Sequence, residues 1–175
     1  MYALAKQLKL VITTPVGKEE QAANEVIDIL LPLDENIEVR KTKYPGVILV
    51  YSSYNSHELA KELYNTPTST IIRIVPCDIC VETSLENIVK AVVELVKGIF
   101  NENIKFKVDC IRRGRRVKSS MEVEQYTGWE IIKRYKSKVS LRNPDYIVKV
   151  EIVDEITCIG LLKPNEIYRK KARSG

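Results

Sequence analysis

One histidine, two phenylalanines and two methionines are all that this 175-residue chain holds of those types. The histidine, His57, sits beside Glu58 in the first turn of a predicted helix, where a solvated surface residue is expected rather than a catalytic base. No GxGxxG loop is present, nor a GxxxxGK loop followed by Ser or Thr, so no nucleotide or S-adenosylmethionine site is expected. No HExxH or other metal-ligand spacing occurs. The carboxylates are scattered, and nothing pairs two of them for acid–base work. These absences weigh against an enzyme acting alone; no cofactor and no catalytic residue is expected. No apolar run approaches the ~20 residues of a membrane span. The opening MYALAKQLKL lacks the apolar core and cleavage site of a secretory signal. A soluble, cytoplasmic protein is therefore expected. Its apolar content of 45% is that of a globular chain, long enough for one ordinary domain or two small ones.

Cysteine is sparse: Cys77, Cys80, Cys110 and Cys158. The first two form a CxxC, but a structural zinc site wants four ligands, usually from two such pairs. A Cys77–Cys80 disulfide stays open. Cys110 and Cys158 fall in apolar strand register, where a cysteine acts as a small buried hydrophobe. A basic run follows Cys110 and could lower its thiol pKa. Without a partner base, no nucleophile is expected there.

What the chain does have is charge, unevenly spread. The net charge is only +5, yet the stretch from Ile104 to Arg142 carries +8 and the tail from Lys163 carries +4, leaving −7 for the rest. That asymmetry points to a polyanionic partner. The densest part is KFKVDCIRRGRRVKSS, Lys105 to Ser120. It begins with strand alternation, Ile104, Phe106, Val108 and Cys110 on one face. It ends in a knot of Arg112, Arg113, Arg115, Arg116 and Lys118, with Gly114 freeing the backbone. Guanidinium forks hold phosphate oxygens in pairs, so the knot is the first candidate for nucleic-acid binding. The competing reading is a solvated charged turn. A basic face meeting acidic lipid would want an amphipathic anchor helix, and none accompanies it.

In order, the chain reads as a strand at Leu8–Thr13, a helix at Lys18–Leu31, strands at Ile37–Lys43 and Val47–Ser52, a helix from Asn55 to Tyr64 and a strand at Ile71–Val75. That β-α-β-β-α-β order is the ferredoxin-like split-βαβ arrangement. Pro76 opens a break. Thr83 and Glu86 read as a capping box for a helix reaching Phe100. After the basic strand, Ser119 and Glu122 cap a helix to Lys136. Its apolar positions are sparse: Val123, Tyr126, Ile131, Ile132 and Tyr135. Gly128, in mid-helix, suggests close helix–sheet packing. Strands follow at Tyr146–Val153 and Ile156–Leu162. The fold class is α+β, with domains at 1–75 and 76–162 and a basic tail at 163–175, expected to be disordered unless RNA or a partner orders it. Lys138, Arg142 and Asn143 are second candidates for RNA contact, and Lys163, Arg169, Lys170, Lys171 and Arg173 would extend the track. Tyr126 and Trp129 could stack on bases if exposed, though core packing is the expected role. Gly17 and Lys18, ahead of a helix, could offer amides and a charge to phosphate.

The second half resembles a THUMP domain. The resemblance rests on KFKVDCIRRG, on Gly128-Trp129-Glu130-Ile131-Ile132 and above all on V-x-L-x-N-P-D-x-x-V-x-V-E-I at Val139 to Ile152. VITTPVGKEEQAANEVIDIL resembles the opening of the ferredoxin-like domain that precedes THUMP in tRNA-modifying proteins. Together these cover residues 8–162. The chain runs thirteen residues past its last predicted strand, so no fused catalytic domain is expected. In that respect it is similar to the stand-alone adaptor of the tRNA cytidine acetyltransferase. The resemblance implies binding of tRNA by its acceptor stem and 3′ CCA end, and an acetyltransferase partner that makes N4-acetylcytidine in the D-arm. An RNA-binding subunit for another enzyme, such as a separately encoded methyltransferase, is the alternative. A structural subunit whose basic face meets an acidic protein is a further one.

Overall fold

Apolar residues at period two and at helical spacing build two sheets, each backed by two helices. The computed structural model describes residues 5–170, so Lys171 and Arg173 lie outside the described residues. The described residues divide into two compact units, 5–77 with 167–170, and 78–166.

The first unit runs β1 (Gln7–Thr13), α1 (Glu19–Leu30), β2 (Glu38–Lys41), β3 (Val47–Ser52), α2 (Ser56–Asn65) and β4 (Arg73–Pro76). Its sheet has the antiparallel order β4-β1-β3-β2, the expected ferredoxin-like arrangement. Helix α1 buries Ala22, Val26 and Leu30, one stripe at four-residue spacing. Helix α2 buries Leu59, Ala60 and Leu63. Both pack on Leu10, Ile12, Ile48, Val50 and Ile74. Each such aliphatic side chain removed from water contributes about 1.5–3 kcal/mol. Asn55 caps α2 as expected, its side chain accepting from the Glu58 N–H. A fifth strand closes the edge: β10 (Tyr168–Arg169) pairs antiparallel with β4. Residues 163–170 are therefore not a loose tail. Tyr168 is buried, with its ring 5.1 Å from that of Tyr64. A two-residue strand has no periodicity of its own to read, and here the tyrosine contact fixes it.

The second unit runs β5 (Ile79–Glu82), α3 (Leu85–Val96), β6 (Lys105–Arg113), α4 (Ser120–Tyr135), β7 (Lys138–Val139), β8 (Tyr146–Val153) and β9 (Ile156–Leu162), then a short 3-10 turn at Pro164–Glu166. The sheet order is β5-β9-β8-β6-β7. β6 lies parallel to β8 and to β7, while β9 is antiparallel to β8 and β5. Phe106, Cys110, Val148, Val150, Ile152 and Ile159 form the helix-facing layer, under Ile88, Val92 and Val96 of α3 and Val123 and Ile131 of α4. Strands β5 and β7 go beyond the sequence expectation. The CxxC region pairs with β9, Cys80 opposite Cys158. The cap of α3 is Ser84 rather than Thr83, and the Thr83 hydroxyl instead meets that of Thr157 at 2.7 Å. Cys80 keeps a thiol, so the CxxC is not a local bridge, and Cys158 takes part in a disulfide rather than serving only as a buried hydrophobe. No helix among the described residues is long and apolar enough to cross a membrane.

One glycine is fixed by both conformation and space. Gly46 has φ +76°, and a Cβ there would sit 2.6 Å from the Thr14 carbonyl oxygen, backbone that cannot swing aside. The approach is held by Thr14 N–H donating to the Gly46 carbonyl at 2.8 Å and by Gly46 N–H donating to Glu19 Oε1 at 2.7 Å. That second bond is the main reason the Glu19 carboxyl titrates below its ordinary range. Gly98, at φ +81°, would meet nothing within 4 Å. Gly46→Ala is expected to cost about 2–3 kcal/mol and Gly98→Ala about 1 kcal/mol, the difference being the clash, read by urea unfolding.

Candidate nucleic-acid interface

The basic knot sits where β6 ends, in a loop that carries the chain over to α4. β6 and β8 are parallel through eight register pairs, from Phe106 opposite Tyr146 to Arg113 opposite Val153. The loop therefore lies at the carboxyl end of both strands. Gly114 turns it with φ +99°. Buried Val117 anchors it to the core, and the Ser119 side chain caps α4 by accepting from the Glu122 N–H.

Within this loop the five cations have different tasks. Arg112 folds back, Nη1 donating to the carbonyls of Val117 at 3.0 Å and Lys118 at 2.9 Å, which closes the loop. Arg113 points inward and donates to Glu151 Oε2 at 2.7 Å; its side chain is 13% exposed and that of Glu151 0%. Lys149 joins them, 2.9 Å from Asp109 Oδ2 and 3.5 Å from Glu151 Oε1. Arg116 lies half-exposed, 3.6 Å from Asp154 in the β8–β9 turn. Arg115 and Lys118 are exposed and form no ion pair with a described residue. The open cations are thus Arg115 and Lys118, with Arg116 partly engaged. Two of the five expected phosphate ligands hold the loop and the sheet together.

The second group of candidates is not brought to the knot. Lys138 is opposite Lys105 at the start of β6, and exposed Arg142 and Asn143 follow in the next loop. Lys163 follows the last residue of β9, whose Leu162 faces Ile147 at the start of β8. These residues share the edge where β6 begins. Eight residue steps along β6 separate that edge from the knot, roughly 26 Å. Arg169 and Lys170 belong to the first unit, Arg169 on edge strand β10. The Lys170 ammonium donates to the Thr66 carbonyl and, at 3.0 Å, to Thr68 Oγ1, so it pins the chain end. Gly17 takes φ +89° ahead of α1, with exposed Lys18 at the helix N-cap.

The aromatic residues reverse an expectation. Tyr126 and Trp129 are not core: they are 46% and 59% exposed, edge to face with centroids 5.4 Å apart. The buried residues of α4 are Val123, Thr127, Gly128 and Ile131, a stripe that rotates Tyr126, Trp129 and Ile132 outward. Thr127 conceals that stripe in the sequence. Gly128 gives no close packing, since a Cβ there would meet nothing within 4 Å. Cys110 is buried, and burial pushes its thiol up to about 12; the Ser120 hydroxyl opposes this and Glu124 adds to it. The basic run therefore does not activate it.

Residues 82–162 match the THUMP domain model. A protein of Methanocaldococcus jannaschii is 26% identical over 163 residues, spanning 93% of this chain and 43% of that protein. The tRNA sulfurtransferase of Vibrio cholerae is 43% identical over 75 residues, 42% of this chain and 15% of that enzyme. This chain thus spans less than half the length of either relative. Among solved structures, a Pyrococcus horikoshii protein, PH1313, shares the fold with a TM-score of 0.69 at 21% identity, over 90% of this chain and 55% of that one.

Two outcomes are expected. Arg113→Ala leaves a buried carboxylate short of a partner and should cost about 3 kcal/mol, whereas Arg115→Ala should stay within about 0.5 kcal/mol of wild type in urea unfolding. The Cys110 thiol should resist iodoacetamide at pH 8 in the native state and react once unfolded. Its native pKa lies above its ordinary 9.0, so its contribution to stability is complete below pH 9 and is lost as pH climbs toward 12.

Proposed function

We propose that this chain, whose residues 82–162 form a THUMP domain, binds tRNA and presents it to a modification enzyme without catalysing a reaction itself. The observation that carries this reading is the loop at the end of β6, which offers Arg115, Lys118 and half-exposed Arg116 to solvent after Arg112 has locked its shape. A preformed loop holds cations at fixed spacing, which suits successive phosphates, and such contacts position an RNA without reading its bases. Lys138, Arg142 and Lys163, roughly 26 Å away along the sheet, are too distant to share one nucleotide with the loop and suit a stem lying across that edge. Similarity to tRNA sulfurtransferase supports tRNA as the RNA. The acceptor stem and 3′ CCA end are the parts we assign to this surface.

The enzyme we place first is the acetyltransferase forming N4-acetylcytidine in the D-arm, on the resemblance of the sequence to its stand-alone adaptor. The sulfurtransferase similarity favours a second reading, in which the adaptor serves a different tRNA-modifying enzyme, such as a separately encoded methyltransferase. Co-purification with one enzyme and stimulation of its reaction separates the two. Turnover of a tRNA nucleoside by the isolated chain with acetyl-CoA or S-adenosylmethionine would refute the non-catalytic part.

The direct test spares Arg112 and Arg113, which the fold needs. Binding of intact tRNA across a salt series is compared for wild type and an Arg115→Ala, Arg116→Ala, Lys118→Ala variant of unchanged thermal stability. Removing each cation that neutralises a phosphate should flatten the log–log salt slope by about 0.7–0.9, and removal of the 3′ CCA should weaken binding further. Failure of intact tRNA to bind at low salt would overturn the reading.

A further inference from the structure

We propose that the groove between α4 and the outer edge of β6 is a protein-docking site, and that it takes a segment with large apolar side chains flanked by acidic residues. The proposal goes beyond the tRNA reading and stands without it.

The groove encloses about 310 Å³. Its open rim is formed by Met121, Trp129, Ile132, Val139 and Leu141, exposed by 64%, 59%, 39%, 52% and 73%. Gly128 lies in the lining and leaves space where any other residue would place carbon. Five large apolar side chains gathered around one depression are more than a soluble surface carries by chance, and such patches mark interaction sites. The fold does not require them, because the buried residues that hold α4 down are Val123, Thr127, Gly128 and Ile131. The sheet also stops early here. β7 covers only Lys105 and Phe106, and beyond that point no strand among the described residues pairs with the outer edge of β6. Glu124 accepts the Cys110 N–H at 3.1 Å, so its carboxylate is occupied at the groove wall.

Charge selects the occupant. Along the chain, cations flank the lining on both sides: exposed Lys118 three residues ahead of Met121, and exposed Lys138 and Arg142 adjoining Val139 and Leu141. A second copy of this chain would bring like charges together across the seam. A single strand of RNA would need cations along the span, yet the middle of the groove offers only Glu124, Gln125 and apolar side chains, with Trp129 the single stacking plane on the rim. A protein segment with apolar residues in its centre and Asp or Glu at its ends satisfies both the middle and the ends.

The test is a selection of sixteen-residue peptides from a random displayed library on the full chain. Enriched peptides should carry two or more large apolar residues between acidic ones. Gly128→Leu, which fills the floor, and Leu141→Asp, on an exposed loop, should each weaken them about tenfold or more. Lys138→Glu with Arg142→Glu should abolish binding, while tRNA binding through Arg115 and Lys118 persists in the Gly128→Leu and Leu141→Asp proteins. A Cβ at Gly128 meets nothing within 4 Å and leucine is the better helix former, and Leu141 is 73% exposed, so neither variant should melt below wild type. Three results would overturn the proposal: no enrichment, or enrichment indifferent to these substitutions; a concentration-dependent dimer in light scattering that Leu141→Asp dissolves; or an oligonucleotide whose binding the groove variants remove while peptides bind unchanged.

Discussion

The parallel pairing of β6 with β8 is the constraint on which the second unit depends. Antiparallel neighbours can be joined by a tight turn, but parallel ones require the chain to travel back the full length of the strand. Here the return journey is α4 and β7, between Arg113 and Tyr146. The loop leaving β6 must therefore lie at one end of the sheet and the loop entering β8 at the other. Both loops are basic, and the pairing forces them apart. A run of cations that looks continuous along the sequence becomes two stations separated by the length of a strand.

The same pairing decides which cations reach solvent. In its register Asp109 stands opposite Lys149 and Ile111 opposite Glu151, two residues before Arg113. The Glu151 carboxylate is fully buried, and a buried charge is tolerable only with hydrogen-bonded counter-charges. Arg113 supplies one by a hydrogen bond to Oε2, and Lys149 adds an ion pair 3.5 Å from Oε1. The surface potential at the loop is accordingly smaller than its composition implies, since Arg113 is neutralised inside, Arg116 faces Asp154, and Arg112 is tied to backbone carbonyls. What remains is a smaller but better fixed set of charges, which favours positioning an anion over merely attracting one.

Much of this architecture is legible in the residues. The apolar runs between turn signals at Val47–Ser52 and Ile156–Leu162 and the alternation in Tyr146–Val153 mark those strands to their ends, and Asn55 and Ser119 mark helix starts that the structure keeps. The strands that escape, β5, β7 and β10, span four, two and two residues and owe their pairing to partners far along the chain. Distance also hides the fate of Arg113, whose carboxylate lies 38 residues away. Tyr126 and Trp129 escape for a different reason. Aromatic identity suggests burial, while the residue completing the buried stripe is Thr127, polar in type and 0% exposed. The period is present, but its phase is set by packing against β6 and not by hydrophobicity alone.

That phase matters beyond α4 itself. A crossover helix needs one buried stripe to hold its place, and four residues of α4 provide it, Val123, Thr127, Gly128 and Ile131. Every other face of such a helix is released from the demands of folding. Exposed polar residues there would improve solubility, and a mid-helix alanine in place of Gly128 would favour the helix by about 1 kcal/mol. The chain instead carries Met121, Trp129 and Ile132 on the outward side and keeps Gly128, where a Cβ would meet nothing within 4 Å, among them. Neither choice serves the stability of the domain, and both shape the same depression. Residues that cost stability and solubility at one place are accounted for most simply by something that binds there.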